Sequence, residues 1–158
     1  MIHHISLPAR DPVHVAEVLA ELLGGRAYPF SGPLPGARMA VSGDPHGTMI
    51  EVYPDTVVMA PGEGEAPVAY APVPAAQQPV AFHALISVPH GRAAIERIGA
   101  RAGWRTKFFN RAAPGKPPVF HVIELWVENR ILLEIVPAGT VGIYERYMQL
   151  ATMDALNP

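Results

Sequence analysis

The chain has 158 residues, 49% hydrophobic and 16% charged, with a mean hydropathy of +0.17, which excludes wholesale disorder and suits one sizeable domain or two small ones sharing a core. A formal charge of −2 provides no global cationic field for nucleic acid. Cysteine is absent, which excludes a disulfide framework, thiolate metal sites and a catalytic thiol.

No basic segment precedes an apolar stretch at the N-terminus, and the longest apolar candidate, 131–144, is interrupted by Glu134, Pro137 and Gly139. A soluble, cytoplasmic protein without signal peptide or membrane segment is therefore expected. Residues 2–7 read as a short strand, after which Asp11 and Pro12 supply a helix cap and first helical position. Val15, Val18, Leu19, Leu22 and Leu23 form an apolar stripe at helical spacing, and Gly24 and Gly25 stop the helix. Strands are expected over 26–30, 37–41 and 48–53, separated by Gly/Pro turns. Residues 55–80 hold Pro61, Pro67, Pro72, Pro74 and Pro79 with no lysine or arginine. Because proline fixes φ and lacks an N–H, this stretch reads as an extended connector between two units.

The second unit repeats the first: a strand over 80–88, a helix over 91–102 stopped by Gly103, then strands over 104–110, 119–127 and 131–136. His4 precedes Arg26 by 22 residues and His83 precedes Arg105 by 22; Glu51 follows His4 by 47 residues and Glu134 follows His83 by 51. Two copies of one supersecondary unit, each too small to bury its sheet alone, account for this spacing. The fold class is thus α+β, two βαβββ modules over 1–54 and 81–138 joined by a proline-rich connector over 55–80. A C-terminal helix over 139–158 carries Ile143, Tyr147, Leu150 and Met153 at helical spacing, suited to cover a sheet edge or a second subunit.

Strand parity sets His4 on the face opposite Ile5 and Leu7, and places one carboxylate, Glu51 or Glu134, in each apolar last strand. A carboxylate among apolar residues is costly without a partner. The partner is either an arginine, with Arg38 and Arg130 the candidates, or a divalent cation shared with His4 and His83. Two imidazoles and two carboxylates suit zinc, nickel, manganese, cobalt or iron. Of the other histidines, His3 reads as structural, and His14, His46 and His90 as exposed. His121 and Glu124 have opposite parity on one strand, so at most one faces a site.

The run His4-Ile-Ser-Leu-Pro-Ala-Arg-Asp11, the run Asp44-Pro-His-Gly-Thr-Met-Ile-Glu51, and His83 with Ile-Leu-Leu-Glu134 resemble the vicinal oxygen chelate superfamily, which includes glyoxalase I, bleomycin-resistance proteins and extradiol dioxygenases. The resemblance covers both modules. It implies an open, U-shaped mixed β-barrel with helices outside, and His4, Glu51, His83 and Glu134 as metal ligands, with Glu134 or Glu51 also moving a proton. It implies a small-molecule substrate, lyase, isomerase or epimerase chemistry, and a homodimer. Four ligands rather than a two-histidine, one-glutamate set favour that chemistry over an extradiol-type dioxygenase; metal-free sequestration of a small molecule is the alternative. The second module has Glu128-Asn129-Arg130 where the first has its Asp-Pro-x-Gly turn, which reads as a tight hairpin.

Charge is uneven. Residues 1–54 hold three arginines against five carboxylates, whereas 81–138 hold eight basic against four acidic residues. A solvated helix face is the favoured reading of this excess, an anionic substrate the sharper one.

Overall fold

Asp11 accepts a hydrogen bond from the His14 backbone N–H at 3.1 Å, and Pro12 takes the first position of helix α1, Pro12–Leu23. Gly24 closes it at φ 69°, its N–H bonding Glu21 while the Gly25 N–H bonds Ala20, a Schellman end. The apolar stripe is buried along its length, from Val15 to Leu23. The structure, a computed structural model, describes residues 2–30, 34–74, 81–112 and 117–156. The last part of the expected connector, 75–80, and with it the expected strand start at Val80, lie outside them.

The chain divides into two compact units, Met1–Pro79 and Val80–Pro158. In the first, strands β1 (His4–Ala9), β2 (Arg26–Pro29), β3 (Arg38–Val41) and β4 (Met49–Pro54) form a mixed sheet of order β1-β4-β3-β2. The first and last strands pair in parallel and the others antiparallel. Leu7, Ala40, Ile50 and Val52 lie beneath α1 and are buried. The proline-rich stretch is not wholly extended connector: β5 (Val57–Ala60) and β6 (Ala69–Pro72) pair antiparallel as a two-stranded ribbon. Such a ribbon consists only of edges, where proline is tolerated, and Pro61 and Pro67 fall between its strands.

The second unit repeats the arrangement. Strands β7 (His83–Ser87), β8 (Thr106–Arg111), β9 (Phe120–Val127) and β10 (Ile131–Val136) have the order β7-β10-β9-β8, with β7 and β10 parallel. Helix α2 (Arg92–Arg101) buries only Ile95, Ile98 and Gly99. Thr106 Oγ1 would lie 2.0 Å from a Cβ at position 99, so glycine lets strand and helix meet there. The expected tight hairpin is present: Glu128 and Asn129 take φ of 48° and 57°, and the Arg130 N–H bonds the Val127 carbonyl at 3.0 Å. Asn129 offsets its left-handed backbone by accepting from the Arg105 N–H at 2.7 Å and donating to the Gly103 carbonyl at 3.0 Å.

The C-terminal helix is two short helices, α3 (Val141–Tyr147) and α4 (Leu150–Leu156). The break has a local cause. Gln149 Nε2 donates to the Glu145 carbonyl at 2.8 Å, taking the acceptor that a continuous helix would give to a backbone N–H. Tyr144 and Tyr147 pack on Phe120, with ring centroids 5.2 and 5.8 Å away, whereas Leu150 of the expected stripe is 80% exposed. Among the described residues no helix is long and apolar enough to cross a membrane.

Candidate functional site

In the first unit the sheet face away from α1 carries His4, Ser6 and Pro8 of β1 and Met49, Glu51 and Tyr53 of β4. Ser6 stands directly across from Glu51, and Met39 of β3 flanks Glu51 on its other side. Only 8% of Glu51 is exposed, and its burial is compensated by hydroxyls. Ser6 Oγ and Tyr53 OH each donate to Glu51 Oε2 at 2.9 Å. Burial pushes the Tyr53 phenol well above its ordinary pKa, and its hydrogen bonds to Glu51 and Tyr70 add to the rise. Tyr70 reaches this position from β6, with its ring 6.1 Å from that of Tyr53, and Phe30 meets Tyr53 edge-on at 6.0 Å.

The Asp-Pro-x-Gly turn positions β4. Asp44 Oδ1 accepts from the backbone N–H groups of His46 and Thr48 at 2.9 and 3.1 Å, and Gly47 takes φ 70°, a conformation that favours glycine. Hydrogen bonds from Thr48, side chain first and then backbone, hold the Asp44 carboxyl well below the usual carboxylate range against a smaller opposing effect of burial, with His46 and Ser42 assisting. His3, one residue before the strand, has its Nδ1 2.7 Å from the His46 carbonyl, the structural role expected of it.

The second unit presents the equivalent face. Leu85, Glu134, Glu124 and Lys107 stand in one cross-strand row, and His83, Leu132 and Trp126 in the next. The indole Nε1 of Trp126 is buried and without a hydrogen-bond partner among the described residues. Glu134 is held by Arg111, not by the expected Arg130: Arg111 Nη2 donates to Glu134 Oε1 and, at 2.9 Å, to Glu124 Oε1. Burial works to lower the Arg111 pKa, but hydrogen bonds and charge from Glu124 and Glu134 raise it overall. Arg130 lies 3.9 Å from Glu128 in the hairpin. Arg38, the other expected partner, is in register with Val52, on the face opposite Glu51, and donates to the Ala37 carbonyl. Of the pair with opposite parity, Glu124 is the one on the site face. His121 lies on the other, its ring 5.1 Å from Phe108.

Each unit therefore places one histidine and one glutamate on a single sheet face in one register. His4 precedes Ser6, the partner of Glu51, by two residues, and His83 precedes Leu85, the partner of Glu134, by two. The histidine-to-glutamate separations of 47 and 51 residues end on the same offset although they differ, because the longer β9 is offset by a shorter turn into β10 and the extra residues fall mainly ahead of β9. Both imidazoles are exposed. Among the described residues no group of three or more His, Asp or Glu side chains is placed to hold a metal ion. Ser6, Tyr53, Arg111 and Glu124 as partners of the two glutamates escape a reading of the sequence alone. Parity puts Ser6 with His4, and Tyr53 with Glu51, but only the register brings Arg111 and Glu124 to Glu134.

No protein-family model and no curated protein sequence matches the chain. Solved structures do. A FosX fosfomycin resistance protein from Mesorhizobium loti superposes with a TM-score of 0.51 at 13% identity, over 92% of this chain and 95% of that one. A FosX variant from Listeria monocytogenes, complexed with Mn(II) and 1S,2S-dihydroxypropylphosphonic acid, gives 0.55 at 16% identity over 94% and 98%. The chain has the fold of these FosX structures. A glyoxalase-related enzyme from Fulvimarina pelagi shares it with a TM-score of 0.50 at 13% identity over 87% of each chain. At these identities the likeness is one of fold, which here consists of two βαβββ units with parallel first and last strands.

Proposed function

We propose that the chain is a metal-dependent enzyme that binds vicinal oxygens of a small substrate and performs lyase, isomerase or epimerase chemistry by proton transfer. The supporting observation is the repeated register of His4 with Glu51 and of His83 with Glu134 on one face of each sheet. In this reading those four residues hold a divalent cation. Manganese is the first choice because a FosX neighbour is complexed with Mn(II); zinc, nickel, cobalt and iron suit the same donors. When bound, the cation supplies Lewis-acid polarisation of a substrate oxygen. Ser6 and Tyr53 fix the Glu51 carboxylate through Oε2, which directs its Oε1 to ligation or to taking a proton from substrate carbon. Glu134 is the second candidate base. With Arg111 engaged by Glu124 and Glu134, Lys107, its Nζ 5.6 Å from the Phe109 ring centroid, is the cation on the second unit's face that an anionic substrate group would use.

The test is metal analysis of untagged protein after dialysis against manganese(II). About one equivalent per chain is expected, with Glu134→Gln and Glu51→Gln each lowering it. Folded wild-type protein retaining less than about a tenth of an equivalent would overturn the reading. A second reading, metal-free sequestration of a small molecule, is favoured by one observation: Glu51 and Glu134 are both engaged by protein donors. It predicts a ligand-induced rise in Tm that a chelator leaves unchanged.

A further inference from the structure

Glu124 and Glu134 are direct cross-strand partners in the antiparallel β9–β10 pair. Like charges in that relation destabilise a sheet unless a counter-ion lies with them. Arg111 is that counter-ion. A single nitrogen, Nη2, serves Oε1 of both carboxylates, whose side chains are only 16% and 14% exposed. Lys107 stands across from Glu124 as well, but its Nζ lies over the Phe109 ring.

A cation ligated by Glu134 and a guanidinium on the same carboxylate oxygen would repel each other at close range. Glu124 already holds the same nitrogen. Moving Arg111 fully onto Glu124 therefore costs one shared hydrogen bond and leaves no charge unpaired. Building on the metal reading above, we infer that Arg111 is the resident counter-cation of Glu134, and that divalent-ion binding hands its guanidinium over to Glu124. Arg111 thus sets the affinity of the centre for metal, and Glu124 is the residue that lets it yield.

Titration of metal-free full-length protein with manganese(II), followed calorimetrically, tests the handover without reference to activity. Arg111→Gln is expected to bind manganese about tenfold more tightly than wild type, the size of one partly exposed charge-assisted bond. Glu124→Gln is expected to bind it more weakly, because Arg111 then has only Glu134. On the Arg111→Gln background the same Glu124→Gln change should have less than about a twofold effect, since no guanidinium remains to be received. Should Arg111→Gln fail to fold with two unpaired carboxylates, the double variant compared with Glu124→Gln carries the same test, the repulsion having been removed. Wild-type binding that Glu134→Gln abolishes but Arg111→Gln does not tighten would overturn the handover alone. Equal weakening by Glu124→Gln on both backgrounds would overturn it too, by making Glu124 a direct attractor of the metal. Absence of manganese binding in wild type and Arg111→Gln alike would overturn the metal reading together with it.

Discussion

Asp44 shows how a single half-buried carboxylate can set a strand. Its side chain caps the N–H groups of His46 and Thr48, closing the turn from which β4 leaves with Glu51 on the site face. Its carboxyl is held below the ordinary range, first by the Thr48 side chain, so the unfolded chain binds this proton more readily than the folded one. The stability it contributes is present above the unfolded pKa of about 3.9 and is lost as pH falls towards the lower folded value. Thermal melts below about pH 4 should therefore show a steeper fall in Tm for wild type than for Asp44→Asn, while the two run parallel at neutral pH. Equal slopes in acid would contradict the assignment. Glu51 makes the complementary point. Its neighbours in the turn and strand are readable from parity, but the convergence of Ser6 and Tyr53 on one oxygen requires β1 and β4 to pair in parallel with Ser6 opposite Glu51.

At the scale of elements, the two helices do unequal work. Helix α1 buries seven residues in twelve, whereas α2 buries three in ten and carries an exposed Arg92–Glu96 pair at 2.8 Å, a pair worth only a few tenths of a kcal/mol. Spacing in the sequence locates both helices, because a stripe at three- and four-residue intervals needs no tertiary partner to be recognised. The two glycines that end α1 have different causes. Gly24 is required by its left-handed conformation, but Gly25 by contact: a Cβ there would lie 1.8 Å from the Val41 carbonyl oxygen at the β3 end. Backbone cannot rotate away as a side chain can. Gly25→Ala is accordingly expected to destabilise by more than the roughly 1 kcal/mol that conformational preference alone accounts for at a glycine site. Urea unfolding of the variant checks this, and a cost within a few tenths of zero would mean that the strand end gives way freely. The ribbon β5–β6 is not legible in the sequence, because its prolines mask strand character that only pairing between two edges reveals.

The whole molecule is a duplication in which topology has kept closer register than sequence. Both sheets run first-last-third-second, and both set a histidine two residues ahead of the strand partner of a glutamate. If the units contribute jointly to one cation, saturation should come at one manganese per chain, and His4→Ala and His83→Ala should each reduce that binding by more than about tenfold, as loss of one ligand does. Saturation at two ions, with each substitution removing one, would assign an independent centre to each unit. By itself the sequence determined the two βαβββ units, the α1 caps, the Glu128–Asn129 hairpin and the strand faces of His4, Glu51, His83 and Glu134, because these arise from local conformational preference and from the periods of helix and strand. Tertiary structure alone decided that Arg111 rather than Arg38 or Arg130 holds Glu134, that Glu124 shares it, and that two hydroxyls meet on Glu51. Those pairings join residues 13 to 45 positions apart wherever two strands must first align, and alignment is set by packing and turn geometry that no local pattern encodes.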